Sequence, residues 1–317
     1  MSLSGPPWHE LPVEIVLAIF AEAAHAALKD NVPWITRLSL VSRVVYETVT
    51  PILYETMVIT GNNIPLVRSV TEDARRMAFV RKLCIVARAG AHPWASARTA
   101  DFARAFRHVD ELDVARWQDF ISSSFRPRRM NMHDSTLARF SPEKLPELSA
   151  GLTHLLVAYP FYSKSGERWD MLQQAELQRR RSRFALTSAN NVAPDSVADL
   201  EQDALNAMPA LTHLALDMMR TSPPSDEEFN EDHLRTVLAR LLKKADSATG
   251  GRIEVLALRV AGAMLSQWGI IAHVVTTMQD PRVRVWCDDR RGDALALRAM
   301  DIRTGRDVWT EARKLHK

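Results

Sequence analysis

From Leu11 the apolar positions fall at Leu11, Ile15 and Ile19, with Val16 and Phe20 on the adjoining row, which is the repeat of one helix face. Pro12 suits the first helical position, where no amide hydrogen is needed, and Glu14 meets the positive end of the helix dipole. The pattern breaks at 31–33 and resumes as a second helix, with Trp34, Leu38, Val41 and Val45 on one face and Leu40, Val44 and Val49 on another. Two short helices that are apolar on several sides cannot bury everything against each other. Some of this surface is therefore expected to meet a partner or the next part of the chain.

After Glu55 the period changes from helical to alternating. Runs at 56–60, 80–86, 109–114, 152–157, 211–216 and 253–258 share an apolar start and a Leu-centred alternation, or a fragment of it, and 283–287 is a possible seventh. Each suits a strand with one buried face. Helix-like segments lie between them, at 101–108, 199–208, 231–244 and 261–278. Strand followed by helix, repeated with the helix outside, is the plan of a leucine-rich type of solenoid. The repeat is irregular: from Val80 the run starts advance by 29, 43, 59, 42 and 30 residues, against roughly 20 to 29 in a regular array. The long intervals hold expected insertions at 159–194 and at 222–232, the latter reading SPPSDEEFNED. The last segment, with Leu295, Leu297, Met300, Ile302 and Trp309, is expected to cap the final repeat, since a solenoid end otherwise exposes its core.

The N-terminal stretch resembles an F-box, in particular that of fungal F-box proteins whose box precedes a leucine-rich-repeat-like domain. The matching residues are Leu11-Pro12, Glu14-Ile15, Ile19-Phe20, Leu40-Val41-Ser42-Arg43 and Pro51-Ile52-Leu53-Tyr54-Glu55. The resemblance implies docking onto the Skp-type adaptor of a cullin-RING ubiquitin ligase. It assigns adaptor binding to Leu11, Pro12, Ile15, Leu40, Val41 and Ser42. Where many boxes carry a tryptophan after the Leu-Val pair, this chain has Val45-Tyr46, and its 20–34 connection is alanine-rich.

Composition narrows the alternatives. With 46% hydrophobic and 25% charged residues the chain has a globular balance and is not expected to be disordered. Its first ten residues lack a basic start with an apolar run, and no stretch reaches the roughly 18 to 20 apolar residues of a membrane span, so an intracellular protein, cytoplasmic or nuclear, is expected. The basic excess sits in 61–190, with 21 basic against 13 acidic side chains, and clusters at Arg126, Arg128 and Arg129 and at Arg179, Arg180, Arg181 and Arg183. No aromatics interleave to make a base-stacking platform, so solvated surface is the favoured reading over nucleic-acid binding.

Candidate chemistry is sparse. Cys84 and Cys287 lie in apolar runs with no CxxC spacing and read as small buried hydrophobes. His154 and His213 occupy the same place in two copies of Leu-Thr-His-Leu and read as a repeated strand position, with no third metal ligand at fixed spacing. His133-Asp134-Ser135 has triad residue types, but neighbours in one loop do not make triad geometry. Asp288-Asp289 and the acids of 225–232 read as surface loops. No phosphate loop, dinucleotide fingerprint, HExxH or GxSxG occurs, so neither enzymatic activity nor a cofactor or metal is expected.

The expected architecture is α/β: a helical F-box over 1–55, then an irregular leucine-rich-repeat-like solenoid of parallel strands backed by helices over 56–317. The expected function is the substrate-recognition subunit of a ligase, with the box on the adaptor and the solenoid on a protein target. The alternative is a leucine-rich-repeat-like interaction scaffold with no ligase role, which Val45 in place of the tryptophan favours.

Overall fold

The structure, a computed structural model, describes residues 11–28, 31–60, 62–63, 66–67, 69, 73–86, 105–114, 126–132, 146–158, 204–218, 231–244, 253–291 and 294–315. Three helices come first: α1 (Val13–Ala27), α2 (Val32–Leu38) and α3 (Arg43–Glu55). Pro12 lies one position earlier than expected, at the N-cap of α1. The expected second helix is two helices. The Ser42 hydroxyl accepts a hydrogen bond from the Val45 amide at 3.2 Å, and a serine that binds its own backbone in this way starts a helix instead of continuing one. Asn31 caps α2 likewise, through the Trp34 amide. The break also overturns the expected single face: Leu38 and Val45 are buried with Ala24, Ile35, Val49 and Ile52, whereas Trp34 and Val41 are exposed.

α3 runs into β1 (Thr56–Thr60) without an intervening residue, so residues 51–55, the last of the stretch that resembles an F-box, form its last turn. Then follow α4 (Ala74–Met77), β2 (Lys82–Val86), β3 (Glu111–Val114), β4 (Arg129–Met132), α5 (Pro146–Gly151), β5 (His154–Ala158) and β6 (His213–Asp217). The chain continues with α6 (Glu231–Lys244), β7 (Val255–Ala261), a 3-10 turn (Ala263–Gln267), α7 (Trp268–Met278), β8 (Val283–Asp288), α8 (Ala294–Thr304) and α9 (Val308–Glu311). The eight strands form one parallel sheet in chain order, which makes the molecule mixed α/β and solenoid-like.

Register explains the recurring run. Leu83, Leu112, Met130, Leu155, Leu214, Leu256 and Val283 stand side by side on successive strands, and Ile85, Val114, Met132, Val157, Leu216, Leu258 and Val285 form the next row on the same face. Both rows are buried in one core with Leu234, Leu238 and Leu241 of α6 and Ile271, Val274 and Val275 of α7. In five runs the strand proper starts two residues later than expected. The leading residues Val80, Val109, Leu152, Leu211 and Ile253 are buried at the strand entrances.

β4 was not among the expected strands. Arg129 and Asn131 point away from the core while Met130 and Met132 enter it, and a four-residue strand beside an Arg-rich stretch has too little apolar signal to stand out. β4 divides the 43-residue interval between the runs at 109 and 152. The helix expected over 261–278 starts later, because β7 extends to Ala261 and Gly262, at φ 60° and ψ −132°, turns the chain before the 3-10 turn. Half of the 199–208 helix, residues 199–203, and the whole 159–194 insertion lie outside the described residues.

The C-terminal segment departs most from expectation. Arg313 does pair antiparallel with Val285 at the edge of β8, with both N–O distances 2.9 Å. Before that, however, the chain folds back over the sheet: α8 packs against β1 and β2, and α9 against β7. Val308 and Ala312 pack onto Leu156, Ala215, Val255, Ala257 and Trp286, on the face opposite the helices. The segment covers a face as well as an end.

Candidate functional site

Two surfaces draw the side chains that could recognise something. The first is on the three N-terminal helices. Of the residues expected to bind an adaptor, Leu40 is 77% exposed, Val41 65% and Ile15 49%; Pro12 and Ser42 are exposed and Leu11 is half-buried. Pro12 and Ile15 open α1 while Leu40 and Val41 lie between α2 and α3, and α1 packs on both of those helices, so the two blocks belong to one unit. The Ser42 hydroxyl is engaged as the cap of α3, which gives it a structural task as well. Val13, Ile19, Trp34 and Val44 are exposed on the same helices and extend the apolar surface beyond the expected six. The helical pattern already contained Ile19, Trp34 and Val44, though not Val13, and a unit this small has fewer interior positions than apolar residues.

Where a tryptophan stands in many boxes, Val45 is buried among the helices, and Tyr46 reaches outward to the Arg76 side chain. Arg76 also lies 5.7 Å from the Tyr54 ring and 3.1 Å from Asp73. The hydrogen bond with Tyr46, then the neighbouring Tyr54, hold its guanidinium above the ordinary arginine pKa. These contacts, with the direct passage from α3 into β1, fasten the helical unit to the sheet.

The second surface is the sheet face opposite the helices. Lys82, Glu111, Arg129, His154 and His213 are register partners across β2 to β6, so charges alternate before two imidazoles meet. The rings of His154 and His213 stack with centroids 4.1 Å apart, and Trp309 of α9 stands edge-on to both at 5.3 and 5.7 Å. The Thr153 hydroxyl donates to the Arg128 carbonyl at 2.9 Å, so Nδ1–H of His154 donates to that hydroxyl in turn. The Thr212 and His213 pair repeats the arrangement. Burial, then the facing His213 and Arg129, lower the His154 pKa to about 4, and burial lowers that of His213. Burial pushes the Glu111 carboxyl up to about 7, with Lys82 and Arg129 resisting and Asp307 adding to the rise.

Beyond the histidines an ionic chain runs from the sheet into the C-terminal segment. Arg259 lies between Asp217 at 3.5 Å and Asp288 at 2.8 Å; Arg290 binds Asp288 at 2.7 Å and also Asp301. Trp286 lies beneath three guanidiniums, those of Arg259, Arg290 and Arg306, at 5.0, 5.3 and 5.7 Å. Burial would lower the Arg259 pKa, but Asp217 and Asp288 raise it on balance, while the hydrogen bonds from Arg290 and Arg259 overcome burial to keep Asp288 below its usual value. Asp288 is thus an interior ion-pair partner, which corrects the expected surface loop. The cleft between Glu111, Asp113, Arg298, Asp301 and Asp307 has a cavity volume of about 30 Å³, space for a water molecule or two and far below that of a metabolite pocket.

Cys84 is buried on this face, its thiol pushed up chiefly by burial, whereas Cys287 is exposed at the sheet edge and corrects the expectation that both are interior. His133, Asp134 and Ser135, the Arg179–Arg183 cluster and the acids before 231 lie outside the described residues. Arg126, Arg128 and Arg129 are all exposed, and Arg129 also pairs with Asp307 at 3.3 Å. Among the described residues no group of three His, Cys, Asp or Glu side chains could hold a metal ion, and no helix is long and apolar enough to cross a membrane. No protein-family model, characterised protein or solved structure matches the chain.

Proposed function

We propose that this chain is the substrate-recognition subunit of an F-box type ubiquitin ligase, working in the cytoplasm or nucleus. In this reading the helices over 11–55 dock on a Skp-type adaptor, and the leucine-rich-repeat-like body holds a protein target. One observation carries it. Of the ten large hydrophobic side chains exposed among the described residues, seven belong to these helices: Val13, Ile15, Ile19, Trp34, Leu40, Val41 and Val44. A soluble surface rarely gathers apolar side chains in this way unless another molecule covers them. The mechanism is tethering. The box holds the ligase, the body holds the target, and the raised local concentration of target lysines asks for binding surfaces and no catalytic side chain here.

The test is co-purification with a co-expressed Skp-type adaptor. The wild-type chain retains the adaptor, and Leu40→Asp with Val41→Asp loses at least tenfold of it, because each exposed anchor is worth about 1–3 kcal/mol at such an interface. Unchanged circular dichroism shows that the variant is folded, which is expected because both side chains already face solvent. Leu11→Ala with Pro12→Ala has the same direction of effect. Equal retention by wild type and variants, or by none, supports the second reading, a scaffold without a ligase role. Val45, which fills the tryptophan position and is buried, favours that reading.

A further inference from the structure

The sheet has two unlike coverings. On the helix side, α6 alone buries Leu234, Val237, Leu238, Leu241 and Leu242. On the other side the covering from Asp301 to Ala312 buries three apolar side chains, Ile302, Val308 and Ala312, with Trp309 partly buried beside them, and adds polar contacts. The stretch over 307–312 makes three distinct ones. Asp307 reaches Arg129, Val308 and Ala312 rest on a floor that includes Ala215, Val255 and Ala257, and Trp309 meets the stacked pair of His154 and His213. Its shape is local: Asp307 and Thr310 cap one turn reciprocally, and Gly305, at φ +67°, turns the chain into it. A short self-capped turn that lays one acid, one aliphatic and one aromatic residue into three matched places behaves as a linear motif in its own groove.

We propose that the sheet face formed by Arg129, His154, His213, Ala215, Val255 and Ala257 is a peptide-recognition site, and that residues 307–312 fill it in cis. The partner it fits is a polypeptide segment with an acidic residue followed by a branched aliphatic and an aromatic one, the order of Asp307-Val308-Trp309. Such a segment displaces the chain's own. Arg129 takes the acid, the imidazole pair takes the ring edge, and the small side chains of β6 and β7 leave room for the aliphatic group between them. The turn over 308–311 is four residues long and, with Ala312, buries two apolar side chains against the five of α6, so it opens at lower free energy than the sheet and α6. This inference is independent of adaptor docking and its test contains no ligase component.

The experiment uses the full chain carrying Cys287→Ser, which leaves Cys84 as the sole thiol. Cys84 is fully buried on β2, against which α8 packs, so its modification reports lifting of the C-terminal segment. The probe is a synthetic peptide of residues 305–315, with the same peptide carrying Asp307→Lys and Trp309→Ala as control. Excess probe accelerates Cys84 modification severalfold in this chain, and the control peptide does not. When Asp307→Lys and Trp309→Ala are placed in the full chain, the labelled probe binds at least tenfold more tightly than to the chain with its own segment intact. Absence of any effect of the probe on the Cys84 rate, together with equal binding to both chains, overturns the proposal. Should the loosened chain fail to fold, the single variant Trp309→Ala replaces it, and equal probe binding to that chain and to the native one overturns the proposal.

Discussion

Arg259 sits in the sheet with its guanidinium held by Asp217 on one side and Asp288 on the other, and with the Trp286 ring 5.0 Å away. All three charged side chains are buried. Removing one member of such a set leaves charge in the interior without its counterion, which costs about 3–5 kcal/mol, whereas the intact set gains little over an apolar one. Arg259→Met is therefore expected to lower stability by about 3–5 kcal/mol, read as a fall in the urea midpoint. Arg259→Met with Asp217→Leu, which removes charges of both signs, is expected to recover part of it. None of this was legible at the residue scale: Arg259 follows Leu-Ala-Leu just past the end of the expected run at 253–258, where the pattern assigns it no role. Its charged partners lie 42 positions earlier, at Asp217, and 29 positions later, at Asp288.

At the element scale, caps decided what hydrophobic period could not. The apolar positions from Trp34 to Val49 can be threaded on one helix, yet Ser42 starts a new one by accepting the Val45 amide. Ser42→Ala is expected to cost about 1 kcal/mol by loss of that cap, with the exposure of Leu40 and Val41 unchanged. Thermal unfolding followed by circular dichroism checks it, and adaptor retention beside the Leu40→Asp and Val41→Asp variant separates the stability of the unit from its docking. The strands were more readable than the helices. Alternation over five or six residues with a central Leu marks one buried face wherever it recurs, and β4 escaped because two methionines after an Arg-rich stretch are a thin signal.

For the whole molecule, pH acts through groups with opposite signs, of which His154 and Glu111 are two. His154 has its folded pKa lowered to about 4 from 6.5, so the unfolded chain binds the extra proton and stability is lost as pH falls through that window. Glu111 has its folded pKa raised to about 7 from 4.5, so its contribution is present below the lower value and is lost as pH rises through the upper one. His154→Phe is expected to flatten the acid side of a stability-against-pH curve and Glu111→Gln the neutral side, measured as urea midpoints across that range. Both effects depend on α9 and Asp307 lying over the sheet, since that covering buries the two groups.

The sequence by itself determined what nearest neighbours decide: a helical start, recurring strands with one greasy face, helices between several of them, and more apolar side chains near the start than two short helices can hide. Periodicity reports which side of an element faces away from water, and it does so locally. Only the tertiary structure decided what covers the other side of the sheet. The return of residues 294–315 across it turns Asp288 from a loop acid into an interior ion pair, and places Trp309 over the His154 and His213 rings. Contacts between positions so far apart in the chain follow from how strands are ordered and how the chain end is routed, and no local pattern of polar and apolar residues encodes either.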